Sequence, residues 1–324
     1  MTLRQSTYIV LAMGIVSAAA LALGAGKVKK TAVNGVDWHD SFAEASVEAK
    51  KTGKPILFLS MFGEIDEAMP CANARTLRAT LFKDPEFKRL VTEDMVPAWE
   101  MVRAVPKITV DLGDGKKITR TVRGNAVMYI CNSEGKVVDA YPGVYTGEDF
   151  FPAVKQSVEM CAKSPEEINA WHTANGKRVR SLRATMSKGA AEGPILNLAG
   201  ARRVAGAKGS QVAEDDVKRA LFLDSAARIE DMSLTPMSPE SVAINVTGQP
   251  IGDKTPEQIG MEILKMDSKQ NITQMRGVIH LWLASEKQLP TPKQARDTVL
   301  ETILKIPYKD PYFGLKDIAI PGTP

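Results

Sequence analysis

Cysteine and histidine are scarce in this chain, and the scarcity excludes several chemistries. Its 324 residues include three cysteines, at 71, 131 and 161, and three histidines, His39, His172 and His280. So few thiols exclude a disulfide-rich scaffold. The histidines lie far apart in the sequence. No Cys/His cluster has zinc-finger spacing and no His-Glu-x-x-His occurs, so neither a metal centre nor a cofactor is supported. A large excess of one charge is also missing, because a formal net charge of +4 is too mild to imply nucleic acid by itself. Lys177, Arg178, Arg180, Arg183 and Lys188, then Arg202, Arg203 and Lys208, do form a basic segment. It has no interleaved aromatics and matches no nucleic-acid module, so it reads as a solvated face, or as a contact for acidic lipid in an anchored protein. No fixed-period repeat occurs.

What is present suits a globular protein of two ordinary domains, with 44% hydrophobic and 25% charged residues. Arg4 precedes an apolar run from Tyr8 to Leu23, closed by Gly24-Ala25-Gly26. The run is long for a signal peptide and slightly short for a membrane span, and Lys27, Lys29 and Lys30 follow it. Residues 1–30 are therefore a cleaved signal or an uncleaved anchor. Both place the chain outside the cytosol, periplasmic or extracellular, with residues 8–23 as the possible membrane attachment.

Residues 37–51 show helical spacing, stopped by Gly53 and Pro55. Pro55-Ile56-Leu57-Phe58-Leu59 is a short apolar run of the kind a strand covered on both faces shows. Pro70 suits a first helical position, and Cys71 follows in the first turn, where backbone N–H groups favour a thiolate. Asp84-Pro85 starts another helix. Residues 95–102 and Ala126–Cys131 read as core strands, residues 108–122 as a polar hairpin, and residues 136–141 as a returning strand. Thr146 caps a helix running to about Cys161.

These elements in this order resemble exported bacterial members of the thioredoxin-like superfamily. Trp38, Gly53-Lys54-Pro55, Leu81 to Phe87, Met95-Val96-Pro97, Val127 to Ile130 and Glu148 to Phe151 carry the resemblance, over roughly residues 36 to 160. It implies an α/β thioredoxin-like domain at 31–163 and thiol–disulfide exchange with protein or small-molecule partners. Cys71 would be the nucleophile, Arg75 its electrostatic helper, and Gly124, Asn125 and Ala126 the partner-binding segment. Two positions depart from the family pattern. Ala74 stands where the second cysteine of Cys-x-x-Cys would be, and Gly124-Asn125-Ala126 stands where a cis-proline would face the cysteines. The first departure leaves a monothiol site with no resolving thiol.

Two readings of Cys71 stand. One is a reactive thiolate, exposed at the helix start, disfavoured by Glu64, Asp66 and Glu67 and favoured by Arg75. The other is a small buried core residue. Arg123-Gly124-Asn125-Ala126 likewise reads as a peptide contact or as a simple turn, the turn being favoured. The alternative function is a non-catalytic binding or assembly module.

At Ser164 the composition changes, and residues 164–324 are expected to be a mainly α-helical domain with an irregular tail. Ser164-Pro165-Glu166-Glu167, Thr255-Pro256 and Thr291-Pro292 mark helix starts. Residues 189–210 read as a loop or weak helix, and residues 212–229 as helical. Met275, Val278, Ile279, Trp282 and Leu283 share a helical stripe. The methionines, Met261 and Met266 among them, read as gap-filling core residues. A Cys131–Cys161 disulfide is left open.

Overall fold

A computed structural model describes residues 29–189 and 256–315. The apolar run at 8–23, the weak helix after 189, the helix at 212–229 and the side chains of the basic segment from Arg178 onward lie outside these residues. Among the described residues no helix is long and apolar enough to cross a membrane.

The fold is mixed α/β around a six-stranded sheet in the order β1-β2-β4-β3-β7-β8. The chain opens with β1 (Lys30–Val33) and β2 (Val36–His39). They are joined at Asn34-Gly35, both with positive φ, the signature of a two-residue hairpin turn. The predicted helix at 37–51 is thus corrected at its start: α1 is Phe42–Thr52, with Ser41 accepting from the Glu44 N–H at its N-terminus. Central strand β3 (Ile56–Phe62) is parallel to β4 (Val96–Arg103) and antiparallel to β7 (Ala126–Cys131). All seven of its residues are buried, as a strand covered on both faces requires. β7 then pairs antiparallel with β8 (Val137–Pro142). The polar hairpin is present as β5 (Lys107–Asp111) and β6 (Lys117–Thr121), a separate two-stranded ribbon.

Between β3 and β4 run α2 (Ala72–Ala79) and α3 (Pro85–Arg89), the latter capped by Asp84 with Pro85 first. The side of the sheet near β2 is filled by aromatics. Trp38 lies 5.3 Å from Phe82, Phe82 4.8 Å from Phe87, and Phe87 6.1 Å from Phe150, centroid to centroid. Phe150 belongs to α4 (Gly147–Met160), capped by Thr146.

The remaining α-helices among the described residues are α5 (Pro165–Gly189), α6 (Pro256–Gln270), α7 (Arg276–Ser285) and α8 (Pro292–Asp297). The expected caps form: Ser164 and Glu167 bond reciprocally, and so do Thr291 and Gln294. The sequence boundary at Ser164 separates α4 from α5, yet Leu264, Ile279, Leu283, Val299 and Phe313 join the same core as the sheet. Gly176 lets α5 and α7 close together, since a Cβ there would lie 2.8 Å from Leu281 Cδ2. Met261 and Met266 are corrected from core to surface, at 39% and 43% exposed.

The helices are fastened to β8 by a buried polar chain that no local motif signals. His172 on α5 and His280 on α7, separated by 108 residues, meet Nδ1 to Nδ1 at 2.8 Å. The partners assign the tautomers. His172 Nε2 faces the Val138 carbonyl at 2.9 Å and must donate, which leaves its Nδ1 to accept from His280 Nδ1–H. His280 Nε2 then accepts from Arg276 Nη2 at 3.3 Å. Arg276 Nη1 donates to Asp139 Oδ1 at 2.7 Å, and Ser157 donates to Asp139 Oδ2 at 2.5 Å. Burial pushes the Asp139 carboxyl upward, but Arg276 and the other groups around it outweigh that and hold it down at about 2. His172 is pushed below its ordinary value by desolvation.

Candidate functional site

The site is built at one end of β3. A register shift between Met61 and Phe62 sets Phe62 opposite Arg103 at the end of β4. The chain then loops over and returns, with the Cys71 N–H donating to the Phe62 carbonyl at 3.0 Å. Cys71 is the residue before α2, in extended conformation, rather than inside its first turn. Its side chain makes no capping bond to the helix.

The expectation of an exposed thiol is overturned: Cys71 is 1% exposed. One cause is the loop before β7. Gly124 sits at φ +89° with the position of a Cβ only 2.9 Å from Cys71 Cβ and 3.2 Å from Phe62 Cβ. Only glycine fits there, both for the left-handed backbone and for the space. The acidic residues upstream, Glu64 and Asp66, point to solvent.

Of the expected site residues, the structure brings Cys71 and Gly124 into contact and links their flanks. Asn73 Nδ2 donates to Asn125 Oδ1 at 2.8 Å, and the same oxygen accepts from the Ala126 N–H at 2.8 Å. Segment 123–126 is a bend leading into β7, tied to Asn73 on α2 through its own asparagine. Its carbonyls are engaged within the fold: that of Asn125 accepts from the Phe62 N–H, and that of buried Ala126 from the Gly143 N–H. Arg75 is buried and donates through Nη2 to Thr121 Oγ1 on β6 at 3.2 Å, anchoring the hairpin. Cys131 and Cys161 are both thiols. Burial raises Cys131 well above its ordinary value and carries Cys161 to about 12.

Three residues at the site were not identified from sequence, Phe62, Arg103 and Phe313, and Arg123 was read only as part of the 123–126 segment. Phe313 packs edge-on against Phe62, 5.2 Å between centroids, and is 1% exposed. The Arg103 guanidinium lies over the Phe313 ring, 5.2 Å from its centroid. Arg123 Nη1 donates to the Phe313 carbonyl at 2.9 Å. The predicted irregular tail therefore arrives at the neighbourhood of Cys71 from 190 residues beyond Arg123. Nothing local to either segment signals that meeting.

Among the described residues no group of acidic, histidine or cysteine side chains is placed to hold a metal ion. No protein-family model, curated protein or solved structure matches the chain.

Proposed function

We propose that this protein is an exported thioredoxin-like module that acts by binding and assembly rather than by turning over disulfides through an open Cys71. The observation that carries this reading is the burial of Cys71 beneath the Gly124 loop. Exchange requires a thiolate that can approach the partner disulfide in line, and a thiol with 1% exposure offers no such approach. The thioredoxin-like assignment is supported by a strand, a cysteine at the following helix, and the loop before β7 facing that cysteine. Export, as a cleaved or anchored protein, rests on the apolar run from Tyr8 to Leu23.

A second reading, monothiol exchange, is favoured by the position of Cys71 directly before α2, where helix N–H groups stabilise a thiolate. It requires the cover to open. Alkylation of the folded full chain across a pH series, followed by peptide mapping, separates the two. The binding reading expects Cys71 to remain unmodified until denaturant is added, with Cys71→Ser as the control for peptide assignment. Rapid modification near neutral pH in the folded protein would put the monothiol reading in front.

A further inference from the structure

We propose that Phe62, Arg103 and Arg123 form a peptide-recognition surface, that the segment from Lys305 to Leu315 is its internal occupant, and that its partner is an aromatic-bearing peptide turn that displaces this strap. The inference rests on the binding reading and names the partner's chemistry.

The contacts are of two kinds. Two guanidinium groups read main-chain carbonyls: Arg103 donates to Tyr308 and Asp310 through Nη1 and to Pro311 through Nη2, and Arg123 donates to Phe313. Such bonds are indifferent to the side chains carried by the occupant. Specificity comes from one ring, Phe313, which packs edge-on against Phe62 and lies under the Arg103 guanidinium. The strap is folded as a turn: Asp310 accepts from the Tyr312 and Gly314 N–H groups, and its carbonyl accepts from that of Phe313. A partner must therefore present a turn with carbonyls on one side and an aromatic side chain beyond it.

The strap is also held under strain. Lys305 and Phe313 on the strap, and Arg123 on the surface, are non-glycine residues at φ +57°, +56° and +62°. Such conformations persist only while surrounding contacts impose them, and they favour release.

The probe is a fluorescent peptide with the sequence of residues 304–315, titrated into the full chain and into two strap variants, Phe313→Ala and Gly314→Val. A side chain at 314 would meet Arg123 Nη1 at 2.7 Å and Pro307 Cγ at 3.0 Å, so Gly314→Val loosens the strap while leaving Phe62, Arg103 and Arg123 intact. An occupied surface lowers apparent affinity by the fraction of open molecules. We expect at least tenfold tighter binding to the folded variants than to the wild type, roughly that factor marking a tenth or less of the wild type open. The same peptide with Phe313→Ala should lose this gain. Equal affinity for wild type and variants, no binding to folded variants, or undiminished binding of the alanine peptide would overturn the proposal. So would dimerisation of the variants without peptide binding, which would assign the surface to a second copy. Unfolding of both variants would show that the strap cannot leave the core without loss of the fold, and would overturn it too. In each case the alkylation test of Cys71 stands independently.

Discussion

Acidification should loosen this fold through His172, and the geometry fixes the sign. His172 donates through Nε2 to Val138 and accepts at Nδ1 from His280. A proton added at Nδ1 would set two N–H groups against each other. The folded state therefore holds His172 neutral, in agreement with its lowered pKa. The unfolded chain takes up that proton near the ordinary value of about 6.5. Stability from this group is complete above that value and is lost as pH falls below it, down to the folded pKa. Between pH 7.5 and 5.5 the loss reaches at most about 1.4 kcal/mol, the free energy of protonating one such group in the unfolded state one unit below its pKa. Asp139, held at about 2, stays ionised throughout this window. Asp267, raised by burial to about 6, titrates within it and opposes the loss, because its folded form gains the proton first. Comparison with His172→Gln cancels that contribution. Urea unfolding of the full chain at both pH values is the assay. The wild type should lose up to about 1.4 kcal/mol more than the variant. An identical loss in both would refute the tautomer assignment.

Arg276→Met should cost about 3–5 kcal/mol at neutral pH by leaving the Asp139 carboxylate buried without its cation, and the deficit should shrink as pH falls through the carboxylate range; denaturant titration checks both. Gly124→Ala should destabilise by roughly 1–3 kcal/mol through its clash with Cys71 and its left-handed backbone, with a lowered urea midpoint as the readout. A reporter active only outside the cytosol, fused after Thr31, should be active; activity of a cytosolic reporter alone would remove the export reading.

Local signals were the legible ones. Ala126–Cys131 was read residue for residue, because an apolar run bounded by turn residues has few alternatives. Asp84, Thr146, Ser164 and Thr291 all cap helices where they were expected to, since a cap is a matter of four neighbouring residues. Asn34-Gly35 was an available hairpin signal, missed because the following residues also suit a helix. The site was less legible. The cover over Cys71 comes partly from a loop more than fifty residues away, and the strap beside it from farther still. His172 and His280, distant in sequence, meet because Gly176 lets their helices approach. Juxtapositions of this kind leave no periodicity or spacing in the chain.

The Asp139–Arg276 pair spans 137 residues, and that distance is also an interval of time. A ribosome adding about 5–20 residues per second makes Arg276 roughly 7–27 s after Asp139. Throughout that interval the last strand of the sheet carries a carboxylate with no cation to meet it. Until Arg276 is made, the sheet lacks the cation that offsets the burial of its Asp139 carboxylate. On the export proposed above, this delay would serve a polypeptide that must be threaded through a membrane before it finishes folding.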